Sequence, residues 1–337
     1  MLTPPPTPVR FLQALSGHQQ TSALKCAVEL ELFTAIAAGH RTVAALSEHC
    51  HASPKGIRVL CDYLTVHQFL TKENGHYALT ADSAVFLDHA SPAYLGGITA
   101  MIAGPTLRQA FEDLLPVVRK GGTVLNGEGG SMSRENPVWK DFARSMGAMM
   151  MPAANWIAQS LKASEGAPMK VLDLAAGHGM FGITIARANP KASIHAVDWA
   201  SVLDIAREHA VSAGVANRWH AIAGSAFEVE FGGDYDAVLI TNFHHHFNPS
   251  VIETLMRKVR AALKPDGVAV TFEFVPNDDR VTPPEAAAFA MIMLATTAEG
   301  DAYTFAEYER MYRDCGFTRN ELHRLEQSPG AVILSRR

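Results

Sequence analysis

Apolar residues in the N-terminal part of the chain recur at helical spacing. From about Thr21 onward, Leu24, Val28, Leu32, Phe33 and Ile36 fall on one face, and Gly39 follows as a stop. Thr42 is placed to cap a second helix carrying Val43, Leu46 and Cys50. Ser53-Pro54 offers an N-cap with proline at the first helical position, ahead of Ile57, Leu60, Leu64 and Phe69. Two short extended runs, Phe69–Lys72 and Tyr77–Leu79, flank Asn74-Gly75, a pair suited to a tight hairpin turn. Three helices and a hairpin in this order spell a winged helix over residues 1–90. Residues 91–165 read as a mostly helical connector with a glycine-rich break at Gly121–Gly130 and a methionine cluster, Met146, Met149, Met150 and Met151.

The rhythm changes after Gly166–Pro168. Val171–Leu174, Ser193–Val197, His220–Ala223, Ala237–Thr241 and Val268–Phe274 are short apolar runs suited to buried parallel strands. Helical stretches alternate with them. Ile252, Leu255, Met256, Val259 and Leu263 form one stripe behind the Asn248-Pro249 cap, and Thr304–Glu307 is a capping box for a helix that stops near Gly316. Alternation of this kind predicts a doubly wound α/β sheet over residues 166–337.

Bulk properties narrow the function. A chain of 337 residues with 48% hydrophobic and 19% charged residues is an ordinary globular protein, long enough for two domains. Its net charge of −5 argues against nucleic acid as the main partner. The winged helix tests this locally: residues 1–90 hold six Lys/Arg against seven Asp/Glu, and the would-be recognition helix offers only Lys55 and Arg58. Dimer formation or a substrate lid is the better role. Cys26, Cys50, Cys61 and Cys315 form no CxxC pair, as for thiols in a reducing compartment. Met1–Arg10 lacks the apolar core of a signal peptide, and no run approaches the roughly 20 apolar residues of a membrane span. The expectation is a cytoplasmic protein without a membrane partner.

Candidate chemistry begins at Val171–Gly182, which follows a strand and opens a helix. Glycine at 177 and 179 lets the backbone turn tightly and admits a ligand without a Cβ in the way. Asp173 lies inside the turn, and Asp198 ends the next strand, where an acid can accept both ribose hydroxyls of an adenosine. A nicotinamide dinucleotide also fits such a unit, but the G-x-G-x-x-G spacing is not clean. A charged Asp173 suits the amino-acid end of S-adenosylmethionine better than a pyrophosphate. Gly224, Ser225, Ala226 and Phe227 after the third strand would flank the adenine. Trp199 and Asn242 complete the candidate cofactor set.

Thr241–Asn248 at the end of the fourth strand holds three consecutive histidines. In extended geometry only His244 and His246 would share a side, and no matching cysteine or carboxylate cluster accompanies them, so no metal is expected. A histidine at the carboxyl edge of a sheet is suited to general-base work, and Glu273 at the end of the fifth strand is placed to orient its imidazole.

With these motifs the chain resembles the small-molecule O-methyltransferases of plant phenolic metabolism and their bacterial relatives in pigment and antibiotic pathways. The resemblance runs from Ala27-Val-Glu-Leu-Glu-Leu-Phe33 through the glycine loop to Cys315-Gly-Phe317. It implies a Rossmann-like methyltransferase domain preceded by a winged-helix dimerisation domain, S-adenosylmethionine as donor with S-adenosylhomocysteine as product, and a homodimer. It places the catalytic histidine on His245, the middle of the three, and its glutamate partner on Glu273. Met146, Met150, Phe289 and Met293 are expected to line the pocket of a flat, hydroxyl-bearing substrate. The sequence departs from the family at Ser225, where an aspartate is usual, and at Ala302, where a second glutamate is usual and Asp301 stands one residue away. The catalytic context is changed to Phe243 and Phe247. Carbon or nitrogen methylation and decarboxylation occur on the same motifs. A dehydrogenase or an S-adenosylmethionine-sensing winged-helix regulator are the rivals from other classes.

Overall fold

The computed structural model describes residues 6–125, 138–326 and 328–337. The chain divides into two compact units, Met1–Pro105 and Thr106–Arg337, so the expected connector is shared between them.

In the first unit, α1 (Val9–Glu29) begins well before Thr21. Its early turns carry Val9, Phe11, Leu12 and Leu15, all more than half exposed. These turns bury no face, so the amphipathic pattern that marks a helix is missing there. The expected continuous helix is also broken. Glu31 at φ 51° separates α1 from α2 (Leu32–Ala37). Thr42 caps α3 (Val43–His49) by accepting from the Ala45 N–H, and Ser53 caps α4 (Pro54–Val66) by accepting from Gly56. Strands β1 (Leu70–Glu73) and β2 (His76–Leu79) pair antiparallel around Asn74 and Gly75, both at positive φ as the tight turn requires. Leu32, Phe33, Ile36, Leu46, Ile57, Leu64 and Tyr77 form the core. Arg58 and Lys72 both pair with Asp62, so the hairpin and α4 present few unpaired cations.

The second unit opens with helices Pro105–Glu112, Leu114–Lys120, Val138–Ser145 and Gly147–Ser160. Gly121, at φ 79°, ends the second of these; Asn126–Gly130 of the expected glycine-rich break lies outside the described residues. Strands β3 (Met169–Leu174), β4 (Ala192–Asp198), β5 (Trp219–Ala223), β6 (Tyr235–Thr241) and β7 (Leu263–Glu273) run parallel. Two strands not anticipated from the sequence, β8 (Arg319–Arg324) and β9 (Ala331–Arg336), complete a sheet of order β5-β4-β3-β6-β7-β9-β8. The last two are antiparallel additions at β7. Arg319-Asn-Glu-Leu-His-Arg shows no apolar alternation because it is an edge strand. Chain order leaves β3 in opposite directions, to β4 on one side and β6 on the other. That reversal opens a crevice at the carboxyl ends of the strands. Among the described residues no helix is long and apolar enough to cross a membrane.

Candidate active site

The crevice is built first by the loop after β3. Ala175, Gly177 and Gly179 take φ of 50°, 57° and 73°. A Cβ on Gly179 would sit 3.1 Å from Ala206, and one on Gly177 would sit 3.1 Å from the Phe142 ring. Gly182 is tighter still, with Ile194 at 2.6 Å and the Asp173 carboxylate at 2.9 Å from any Cβ. Asp173 is fully buried beneath the loop. Its Oδ2 accepts from the Gly182 N–H at 3.1 Å, and its Oδ1 has no partner among the described residues. Burial pushes this carboxyl up to about 7. Asp198 Oδ2 accepts from the Gly177 N–H at 2.8 Å and Oδ1 from the Trp199 N–H at 2.7 Å. Burial raises it to about 6 against those two donors. Trp199 caps helix Ala200–Ser212, packing with Trp139 on Ala143, Val202 and Ile205.

A measurable consequence follows from Asp173. A carboxyl whose folded pKa lies above its unfolded value binds its proton more tightly when folded. The cost of ionising it is absent below about pH 4, grows up to about pH 7 and is constant beyond. The ligand-free protein therefore loses stability as the pH rises through that window. Asp198 adds to the same trend, nearly complete by about pH 6. Asp173→Asn is expected to flatten the fall of Tm between about pH 6 and 7.5 in scanning calorimetry. An unchanged slope there would count against a buried, protonated Asp173.

After β5, which lies on the far side of β4 from β3, Gly224 at φ 138° donates its N–H to the Asp198 carbonyl. Any Cβ there would lie 2.6 Å from Val229. The Ser225 Oγ accepts from the Phe227 N–H, and the Ser225 carbonyl accepts from Glu228 and Val229. Ser225 thus folds its own turn. Ala226 is buried, and Phe227 packs on Phe243 and Phe247 with centroids at 6.1 and 5.0 Å.

The second half of the site follows β6. Asn242 takes φ 51°, donates its N–H to Phe272, and contacts the Met150 sulfur through Nδ2 at 3.4 Å. Its Oδ1 is buried without a partner among the described residues. His244–His246 then form a 3-10 turn, which corrects the extended geometry expected for the three histidines. Near-threefold spacing sends each ring a different way. His244 meets the Tyr312 hydroxyl at 2.9 Å, His246 lies edge-on to Trp139 at 5.4 Å, and His245 Nδ1 lies 2.5 Å from Glu273 Oε2. Burial drives His244 down to about 4 and His246 well below the usual histidine value, so both are neutral. Among the described residues no group of three His, Cys, Asp or Glu side chains is arranged to hold a metal ion.

Glu273 is wholly buried and uses both oxygens. Oε1 accepts the N–H groups of Phe243 and His244 at 2.8 Å each, while Oε2 takes His245. That fixes the proton on Nδ1 and leaves the lone pair on Nε2. Phe289 packs edge-on against the His245 ring at 4.8 Å and stacks on Phe274. Met146, Met150 and Met293 are buried, whereas Met291 turns 45% of its surface outward. Neither Ala302 nor Asp301 supplies a second carboxylate to His245. Ala302 is buried, and Asp301 pairs with Arg280 and caps the Ala302 N–H. The preceding Gly300 lies so close that a Cβ would be 2.2 Å from the His245 carbonyl.

Residues 133–318 match the model of the O-methyltransferase domain. The chain belongs to the O-methyltransferase family. Residues 12–89 of this O-methyltransferase match the family's dimerisation domain. Its sequence is 28% identical to the 3-hydroxy-5-methyl-1-naphthoate 3-O-methyltransferase of Streptomyces sahachiroi, over 98% of this chain and 95% of the relative. It is 26% identical to the tetracenomycin polyketide synthesis 8-O-methyl transferase of Streptomyces glaucescens, over 92% and 91% of the two chains. A Nostoc punctiforme protein assigned as an O-methyltransferase has a crystal structure that superposes with a TM-score of 0.95. It shares 47% identity, over 99% of this chain and 100% of that one.

The methyl donor of this O-methyltransferase is S-adenosylmethionine, and the residues fit it. A loop of glycines that leaves no room for Cβ atoms, a strand-end carboxylate at Asp198 and buried oxygens on Asp173 and Asn242 that find no partner among the described residues are what a ligand with an ammonium, a ribose and a base needs. The sequence did not point to several residues that the structure places beside the candidate site. His178 accepts the Met180 N–H on Nδ1 at 3.0 Å and stacks on Phe142, a neutral ring pushed down to about 3 by burial. Its place between two loop glycines was the available signal. Phe142, Trp139 and Tyr312 carried none, since each is an ordinary amphipathic helix position.

Proposed function

We propose that this O-methyltransferase methylates a hydroxyl on a small, flat aromatic acceptor, with His245 as general base. The carrying observation is the His245–Glu273 pair, 2.5 Å apart and buried at the carboxyl edge of the sheet. S-adenosylmethionine supplies an already activated methyl group, so the protein has to align the acceptor and take its proton. His245 Nε2 accepts the proton from the acceptor hydroxyl as the new O–C bond forms. Glu273 Oε2 holds Nδ1–H and stabilises the imidazolium that results. Asp173, Gly177, Gly179, Asp198, Trp199 and Asn242 hold the donor, with Gly224, Ser225, Ala226 and Phe227 on the adenine side. Met146, Met150, Phe289 and Met293 supply apolar surface for the acceptor. Both Streptomyces relatives are named for hydroxyl groups on aromatic or polyketide frameworks, which supports that acceptor class.

The test is incubation with deuteromethyl-labelled donor and a panel of phenols, naphthols, indoles and amines, with product mass and position of label determined. Label on oxygen supports the reading; label only on carbon or nitrogen overturns it.

The four cysteines are free thiols, which supports action in the reducing cytoplasm. We assign homodimerisation to residues 1–90, and in it to the α1 face bearing Phe11, Leu12 and Leu15. Exposed apolar side chains in a row are unfavourable unless covered. Phe11→Asp combined with Leu15→Asp is expected to halve the mass measured by light scattering, with the fold retained by circular dichroism. A dimer surviving both changes would move the interface elsewhere.

A further inference from the structure

One half-buried cation in the second unit has no role in the methyl transfer proposed above. Lys258 lies on helix Pro249–Ala262, the helix that Asn248 caps directly after the histidine turn. Its ammonium reaches back to the turn after β5, where it donates to the carbonyls of Ala226 at 3.1 Å, Phe227 at 3.3 Å and Val229 at 2.5 Å. It also sits 4.1 Å from the centre of the Phe231 ring. The three main-chain carbonyls take up all three N–H donors of the ammonium, and the aromatic face adds a cation–π contact. Surface lysines do not order backbone this way, because water competes for every donor. Here three converging carbonyls hold the ammonium, and its partial burial lowers the lysine's affinity for its proton.

The turn that Lys258 gathers is unusual in its own right. Gly224 stands at φ 138° with Val229 folded over it, and Ser225 takes the N–H groups of Phe227, Glu228 and Val229. Carbonyls in such a turn repel one another unless a positive group faces them. Lys258 is that group. Drawing the carbonyls of Ala226, Phe227 and Val229 to one point fixes the peptide planes on either side of Phe227, and so the placement of its ring. That ring in turn packs on Phe243 and Phe247 of the histidine turn.

We propose that Lys258 is a positioning residue for the donor's adenine: it holds the Gly224–Val229 turn in the shape that receives the base. The proposal rests on the assignment of Gly224–Phe227 to the adenine side. One helix thereby braces both halves of the site, the histidine turn at its N-terminus and the adenine turn through Lys258.

The experiment measures binding by titration calorimetry for wild type, Lys258→Met and Lys258→Arg. Three probes are used: S-adenosylhomocysteine, 5′-methylthioadenosine, which keeps the base and lacks the amino acid, and S-ribosylhomocysteine, which lacks the base. Lys258→Met is expected to weaken the two adenine-bearing probes by the same factor, tenfold or more, and S-ribosylhomocysteine by less than twofold. Lys258→Arg keeps the charge but cannot converge on three carbonyls, and is expected to lose about threefold on the same two probes while folding normally. With saturating donor, kcat is retained and the KM for donor rises. A lowered Tm with unchanged affinity for S-adenosylhomocysteine would make the lysine a structural tie and overturn the proposal. So would equal weakening of all three probes. If Lys258→Met fails to fold, Lys258→Arg decides alone by the same criterion. Phe227→Ala separates the two layers of the argument: unaltered binding of 5′-methylthioadenosine in that variant rejects the adenine assignment itself, whatever Lys258 does.

Discussion

His245→Ala is expected to slow methyl transfer by on the order of 10²- to 10⁴-fold, the usual contribution of a positioned general base. Affinity for S-adenosylhomocysteine is expected to stay within a factor of two, because the proposed donor site is the loop after β3 and Asp198 rather than the imidazole. The loss is in kcat. It shrinks as the pH rises, since at high pH a phenolic acceptor ionises without help and the base becomes redundant. Single-turnover rates between pH 6 and 10 give the measurement. A full rate in the variant at pH 7 would mean that alignment alone carries the reaction and that His245 is packing.

Glu273→Gln is expected to be nearly as damaging, although it keeps the shape of the side chain. Oε1 accepts two backbone N–H groups, from Phe243 and His244. A glutamine must therefore turn its carbonyl oxygen toward them and its NH₂ toward His245. Facing a donor, His245 Nδ1 becomes the acceptor and the proton moves to Nε2, so the imidazole holds the wrong tautomer for accepting a proton. A comparable inversion in a serine-protease triad lowers kcat by about 10⁴, and a loss of 10² to 10⁴ is expected here. The variant keeps its fold, because the turn is still tied to β7. Loss of activity with unchanged circular dichroism and donor affinity supports the tautomer argument. Loss of the fold, or activity within fivefold of wild type, refutes it.

Much of this frame is legible from the residues, and the reasons differ from place to place. The caps at Thr42, Ser53, Asn248 and Thr304 are local chemistry: a side-chain oxygen meets an N–H three residues on, and the sequence alone specifies it. The parallel strands β3, β4, β6 and β7 show as apolar runs because they are largely buried on both faces, and β5, at the sheet edge, shows more weakly. β8 is hidden because its pairing with β9 is a matter of main chain, with its polar side chains at the sheet edge. The early turns of α1 are hidden for the opposite reason, since their apolar residues face outward and leave no amphipathic contrast. At the site, Glu273 and His245 are separated by a helix and a strand in the sequence, yet adjacent strand ends bring them together, and topology makes that readable. The 3-10 turn is not readable, because a run of identical histidines has no internal contrast from which to infer its backbone. Lys258 is the plainest case. On a helix that also carries Arg257 and Arg260 it looks like any solvated lysine, and only the folded turn above it shows where its ammonium goes.

The place of β9 in the sheet has a bearing on synthesis. It lies between β7 and β8, and its Ala331 pairs with Glu273 itself. Every other strand of the sheet leaves the ribosome before it. Until β9 emerges, the edge of β7 is a row of unpaired amides beside the carboxylate that meets His245, and Phe272 lacks its partner Val332. The glycine loop and the turn above Lys258 lie outside the strands that β9 pairs with, whereas Glu273, the partner of His245, lies on one of them. On the roles proposed for these residues, the support of the base is the last part of the site to be completed during synthesis.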